Sequence, residues 1–315
     1  MIANDTLEDL FEDAAKRAAN PLWIVMEKVN PEEPNPKAVP HIWRYEEMRP
    51  LLERAGRLVD TERAERRVFM LINPGIAKTP FTTDTLYAGL QLILPGEVAR
   101  AHRHVAFALR FIIEGGNAYT AVGGEKVLMN PGDLVLTPSF EYHDHGNETQ
   151  KPMIWLDGLD VPLYQWLPVH FTNAYDEKRY PSEPAPKDSR LLYPWAEMQQ
   201  QLDAIEGSFA TKRYVHRQTG GEISATIGAQ AERIGRGSSA AKRRETASSV
   251  YHVHAGRGKT RIGNETIEWQ KNDTFAIPAW HTFEHVNEGN EPAFLFRYDD
   301  RPLLESMAVY RTEDV

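Results

Sequence analysis

The chain has 315 residues, with 36 Lys and Arg against 45 Asp and Glu, 41% hydrophobic and 26% charged residues, and no cysteine. That balance excludes wholesale disorder. The missing cysteine excludes disulfides, thiolate nucleophiles and cysteine-bound zinc or iron–sulfur clusters, so any metal must be held by His, Asp or Glu. A net charge of −9 argues against a nucleic-acid or anionic-membrane partner. No apolar run approaches the ~18 residues of a membrane span. The acidic opening stretch, with Asp5, Glu8, Asp9, Glu12 and Asp13, is unlike a secretory leader, and the reading is a soluble, cytoplasmic protein.

In chain order, Thr6 is placed to cap a helix whose apolar stripe is Leu7, Leu10, Phe11, Ala14 and Ala18, stopped by Asn20-Pro21. A Pro-rich connector follows from Glu32 to Pro40, then a helical patch from Leu51 to Val59 after Pro50. The charged stretch Thr61 to Arg67 begins the transition to strand, so residues 1–66 read as an N-terminal helical segment. From Val68 onward the texture is short runs of β-branched and aromatic residues between Gly, Pro, Asn and Asp, for example 86–94, 108–113, 118–122 and 134–137. Such spacing predicts an all-β barrel or sandwich. Residues 67–174 form the first β domain. Residues 175–207 are a polar linker, with Pro181, Pro184 and Pro186, and a short helix that has Pro194 in its first turn and Gly207 at its stop. Residues 208–315 are the second β domain.

The two β domains resemble each other. Phe111–Gly115 aligns with His252–Gly256, and Asn130–Pro138 with Lys271–Pro278. Pro138–Asn147 aligns with Pro278–Asn287. The pattern is an internal duplication.

The first repeat carries the chemistry. In Pro95-Gly96 to His102-Arg103-His104 the two histidines are two residues apart, and on a strand they share a face. Gly132, Pro138, His143 and Asn147 follow. Together these are the two-part signature of the cupin superfamily. The expected fold is therefore an all-β bicupin, two double-stranded β-helix (jelly-roll) barrels preceded by the helical segment. Many cupins add a Glu four or five residues after the second His, but here those positions are Ala108 and Leu109. The predicted metal site is three imidazoles, His102, His104 and His143, with no carboxylate. Imidazole suits iron, zinc, copper and nickel alike. A dication so held keeps its full charge and open positions, which favours an anionic bidentate chelator and one more small ligand.

Beyond the signature, Ala108–Gly115, His143–Asn147, Trp155–Asp160, Ile42–Tyr45, Ala64–Arg67 and Thr85–Gln91 resemble the bicupin gentisate 1,2-dioxygenases. Relatives of that family open salicylate or 1-hydroxy-2-naphthoate. The resemblance implies Fe(II), a small aromatic acid and O₂ as partners, a homo-oligomer (a tetramer), and His102, His104 and His143 as the iron ligands. It also matches Arg66 and Tyr87 to substrate-contacting positions. Arg110 stands in an otherwise apolar strand and must be paired. Its planar fork suits a carboxylate, the alternative being an internal salt bridge. His145 shares the parity of His143 and could donate or accept a proton, or serve only as a hydrogen-bonding support. Asp157 is expected to orient His145, with Asp160 as competitor. The implied reaction is conversion of gentisate and O₂ to maleylpyruvate. A zinc or nickel cupin that isomerises or hydrolyses a small acid, and a small-acid-binding cupin, are the readings from other classes.

In the second repeat the ligand positions become Arg243, Glu245 and Phe283. That barrel is expected to be metal-free and structural. A second metal would require a shifted alignment, using His252, His254 and either His281 or His285.

Overall fold

The computed structural model of the chain describes residues 6–60 and 63–315. Asp5 of the acidic opening stretch, and Thr61 and Glu62 of the charged stretch, lie outside them. The chain divides into two units, one ending at Asn35 and one running Pro36–Val315.

In the first unit, helix α1 (Leu7–Ala15) begins where expected. Thr6 accepts from the Asp9 N–H, and the Asp9 carboxylate accepts in return from the Thr6 N–H, a reciprocal capping box. The helix ends at Ala15, before Ala18, which turns into the left-handed region at φ 53°. A single 3₁₀ turn (Leu22–Ile24) and the short α2 (Met26–Val29) complete this unit.

In the second unit, helix α3 runs Tyr45–Leu58 and takes Pro50 inside it, rather than starting at Leu51. The buried Asp273 carboxylate receives the Tyr45 N–H at 2.9 Å, and Glu46 and Glu47 suit the positive end of the dipole. These offset the one backbone bond that Pro50 removes.

Two sheets face each other in each β domain. In the first, a sheet orders 192–193, 134–137, 108–114, 153–159, 87–93 and 67–70, against one ordering 172–174, 98–104, 143–146, 118–122, 125–129 and 183–184. In the second, 41–43, 274–277, 249–255, 293–299, 228–234 and 209–213 face 265–270, 257–262, 283–287, 243–245 and 312–314. These are the two jelly-roll barrels. Among the described residues no helix is long and apolar enough to cross a membrane.

Strand alternation sorts the side chains. Ile112, Val122, Val127, Met129 and Trp155 fill the first barrel. Tyr251, Phe275, Phe283 and Leu295 fill the second. Residues of opposite parity, Leu109, Phe111 and Leu156, meet Ala229, Phe296 and Tyr298 in a core shared between the barrels. Gly158 and Tyr298 occupy equivalent positions of the two repeats. A Cβ on Gly158 would stand 2.8 Å from the Tyr298 ring, so the tyrosine is a knob that fits only glycine.

The duplication extends further than the β domains. Strand His41–Trp43 pairs with Thr274–Ile277 of the second barrel, while α3 packs on strands 67–70 and 87–93 of the first. Strand Leu192–Tyr193 pairs with Leu134–Thr137 of the first barrel. Helix α4 (Trp195–Asp203) then packs on the second. Asp133 accepts the Trp195 N–H at 3.0 Å as Asp273 accepts that of Tyr45. Each strand–helix arm thus joins the barrels crosswise. Helix α5 (Arg301–Ser306) follows the last long strand.

Candidate metal centre

His102 and His104 lie on strand Val98–His104, and His143 on the neighbouring His143–Gly146, directly opposite His102. An irregularity in register between Ala99 and His102 turns the histidine end of its strand. Ring centroids are 4.2 Å (His102–His143), 4.9 Å (His104–His143) and 5.3 Å (His102–His104) apart. One nitrogen from each ring lies within 4.8 Å of the others, the one such cluster among the described residues.

The Nδ1 partners decide which nitrogen is free. His104 Nδ1 sits 2.7 Å from the Ala106 carbonyl, and His143 Nδ1 3.0 Å from that of Glu141. A carbonyl only accepts, so both rings carry the proton on Nδ1 and leave Nε2 as a lone pair. His102 Nδ1 has the Arg100 carbonyl at 3.3 Å but also Arg66 Nη2 at 2.5 Å. A guanidinium only donates, so these two neighbours ask for opposite tautomers. Ligation through Nε2 is compatible with the carbonyl, and Arg66 then retains its own bond to the Arg100 carbonyl, 3.2 Å away.

Burial keeps the rings uncharged. His102 is pushed down to about 3, with Arg66 adding to burial, His104 to about 4, and His143 well below its ordinary value. Three neutral imidazoles with free nitrogens and no carboxylate fit a divalent transition metal. Ala108 and Leu109, where many cupins carry a fourth ligand, are buried aliphatic residues.

Around this cluster, three adjacent strands place Gly89, Asp157 and Arg110 side by side. Arg110 Nε is 3.2 Å from Asp157 Oδ1, and its Nη1 donates to Thr137 Oγ1 at 2.5 Å. Trp155 Nε1 donates to Asp157 at 3.0 Å. The salt bridge expected as the alternative for Arg110 is therefore present, with Asp157 as its partner. Burial moves both groups toward neutrality, Arg110 down and Asp157 up to about 6 despite the guanidinium beside it. Tyr87 lies in the next row beside Leu159, its hydroxyl over Gly89. Arg66 reaches the cluster itself and is pushed down to about 10 by burial and by Arg110.

His145 is fully buried, its ring 5.7 Å from that of His143. Its orienting partner is not Asp157. Thr120 Oγ1 stands 2.9 Å from its Nδ1, because the two residues face each other across paired strands. Asp160 is also elsewhere. It takes the Phe107 N–H and the Thr226 hydroxyl. Thr120 escaped the sequence reading, although Thr260 repeats it 140 residues later and could have pointed to it. Among the described residues His145 Nε2 has no hydrogen-bond partner.

A cavity of about 440 Å³ opens onto the cluster, lined among others by Arg66, His102, His104, Leu159, Val161 and His170. A larger cleft, about 600 Å³, lies away from it on the second barrel, and half of its lining residues are exposed charged side chains such as Glu46, Arg257 and Glu268.

The second barrel fills the equivalent space with protein charge. Arg297 pairs with Glu245 at 2.8 Å and Asp299 at 3.0 Å, and Arg243 with Glu232 at 3.3 Å. His285 lies within this network, 3.7 Å from Glu232. His252 and His254 point instead into the contact between barrels, against Phe111 and Trp195. His281 faces the Ala279 carbonyl. The alignment without a shift holds, since Tyr251 opposes Arg297 as Arg110 opposes Asp157.

Residues 89–160 match the cupin domain family. The chain is 36% identical to gentisate 1,2 dioxygenase 1 of Aquipseudomonas alcaligenes, over 92% of this chain and 91% of that one. It is 34% identical to 5-aminosalicylate 1,2-dioxygenase of Comamonas sp, over 98% and 90%. The crystal structure of salicylate 1,2-dioxygenase from Pseudoaminobacter salicylatoxidans as an adduct with gentisate superposes with a TM-score of 0.92 at 30% identity, covering 100% of this chain and 96% of the other.

Proposed function

The chain belongs to the bicupin ring-cleaving dioxygenases that act on gentisate, salicylate and related hydroxyaromatic acids, and on that footing we propose that it is the Fe(II)-dependent enzyme that converts gentisate and O₂ to maleylpyruvate. Residues 67–174 are the catalytic cupin and 208–315 the structural one. The observation that carries this reading is the three-imidazole cluster beside a buried arginine, with no carboxylate among the ligands. His102, His104 and His143 hold the metal through Nε2. When bound, a ferrous ion supplies Lewis acidity and the redox path by which ring electrons reach O₂.

This chain's own residues do the rest. The Arg110 fork receives the substrate carboxylate, and Asp157 holds that fork in place. Arg66 closes on the same anion from the mouth of the cavity. His145 Nε2 accepts the proton of a ring hydroxyl. Leu159 and Val161 exclude water from the rim, and Tyr87 bounds the ring. The protein contributes position and charge, which is what effective catalysis of a bimolecular step requires.

A salicylate or aminosalicylate preference has one specific support: a named aminosalicylate enzyme is about as similar to this chain as the named gentisate enzyme is. We read the assembly as a homotetramer, as the family resemblance implies. The test uses protein loaded with Fe(II) without air, then given gentisate, salicylate, 5-aminosalicylate or 1-hydroxy-2-naphthoate and exposed to O₂. Oxygen uptake and the absorbance of a ring-opened product are expected, with gentisate the best substrate. Full metal loading with no uptake on any of them would overturn the proposal.

A further inference from the structure

Each barrel uses one threonine–histidine pair at the same place. Thr120 Oγ1 lies 2.9 Å from His145 Nδ1, and Thr260 Oγ1 2.8 Å from His285 Nδ1. Both pairs face each other across antiparallel strands. All four side chains are buried. The residue behind the threonine differs. Behind Thr120 is the Met129 Sδ at 3.2 Å, and behind Thr260 is Trp269 Nε1 at 2.9 Å.

A hydroxyl has one proton to give. An indole N–H only donates, so Thr260 accepts from Trp269; if it also accepted from His285, its own buried proton would be left without an acceptor, so that proton goes to His285 Nδ1. That leaves His285 with its proton on Nε2, which makes no hydrogen bond among the described residues but, unlike His145 Nε2, has a carboxylate oxygen of Glu232 3.7 Å away to attract it. A thioether only accepts, so Thr120 gives its proton to Met129 and accepts from His145 Nδ1–H. Nε2 of His145 is then a bare lone pair, without a hydrogen-bond partner among the described residues. The opposite assignment leaves the sulfur unbonded and buries an Nε2–H with no acceptor. Such an orphan costs about 1–3 kcal/mol.

We propose that Thr120, backed by Met129, is the positioning residue that fixes His145 in the Nδ1–H tautomer and leaves its Nε2 lone pair, the atom to which the proposed function gives the proton transfer, without a hydrogen bond among the described residues, and that the second barrel wires the same pair in the opposite sense. The catalytic half of this statement rests on the proposed dioxygenase reading, while the tautomers can be observed without it.

The experiment uses the full chain, zinc-loaded and ¹⁵N-labelled at histidine, with two-bond ¹H–¹⁵N spectra assigned by the signals lost in His145→Asn and His285→Asn. His145 should show a pyridine-type Nε2, and His285 a pyridine-type Nδ1. A protonated Nε2 on His145 would overturn the proposal. In the Fe(II) enzyme, Thr120→Val should lower kcat about 10- to 100-fold with KM within about twofold, less than the roughly 10²–10⁴-fold of a whole general base because the base is misplaced and not removed. Thr120→Ser should restore kcat to within about threefold of wild type, since it keeps the hydroxyl. Loss of kcat in the serine variant as well, or none in the valine variant, would overturn it. A wild-type protein inactive on every aromatic acid would sink the functional reading alone, leaving the tautomers to be decided by the spectra.

Discussion

Replacing Arg110 by glutamine tests two properties at once. Arg110 and Asp157 face each other with side chains only 5% and 9% exposed, Nε 3.2 Å from Oδ1. Removing one member of a buried pair costs about 3–5 kcal/mol, because the other charge is left uncompensated. Asp157 can escape part of that cost by taking a proton, and burial already holds its carboxyl at about 6. With a folded value above the unfolded 3.8, the native chain binds more protons than the unfolded one between the two. Stability from this group is therefore greatest at low pH and declines as pH rises through about 6. Without Arg110 the carboxyl moves higher and the window extends upward. The gap between wild type and Arg110→Gln should thus widen from pH 5.5 to pH 8 in urea melts followed by tryptophan fluorescence. Adding Asp157→Asn removes the stranded charge and should recover about 1–3 kcal/mol, the range of coupling between contacting residues. Substrate affinity should not recover, because a charge-assisted hydrogen bond worth about 1.5–3 kcal/mol is still missing. KM for the aromatic acid should stay raised about 10- to 100-fold in both variants. A double variant as unstable as Arg110→Gln, or an Arg110→Gln enzyme with wild-type KM, would refute this reasoning.

Metal content should be one ion per chain by elemental analysis. It should be lost in His104→Ala and His143→Ala and unchanged in His254→Ala and His285→Ala, whose side chains sit in the inter-barrel contact and in the ion-pair network. Two ions per chain would reverse the assignment of the second barrel. Gly158→Ala drives a methyl to 2.8 Å from Tyr298 Cζ and 2.9 Å from Leu109 Cδ1. Overpacking of this kind should cost about 1–3 kcal/mol, read as a lower urea midpoint and partly relieved by Tyr298→Leu. A wild-type midpoint in Gly158→Ala would show that the knob is loosely seated.

The second barrel illustrates how a duplicated site changes character. Its ligand positions became Arg243 and Glu245, and a guanidinium paired with buried carboxylates now fills the space. Such a network is costly to desolvate and is strongly destabilising to break at one member. It keeps the interior polar while leaving no group of free imidazoles.

The amino-acid sequence by itself pointed to the histidine cluster, because His102 and His104 share a strand face by spacing and the cupin signature joined His143 to them. It determined both barrels through the same alternation of short apolar runs, and the loss of ligands in the repeat. The tertiary structure decided what spacing cannot carry. Helix α3 begins at Tyr45 because an aspartate 228 residues away takes its N–H. Asp157 serves Arg110 rather than His145 because sheet register, not parity, chooses neighbours. Thr120 reaches His145 for the same reason. Local patterns fix which way a side chain points, whereas its partner is supplied by a strand distant in sequence, and only the closed barrel brings the two together.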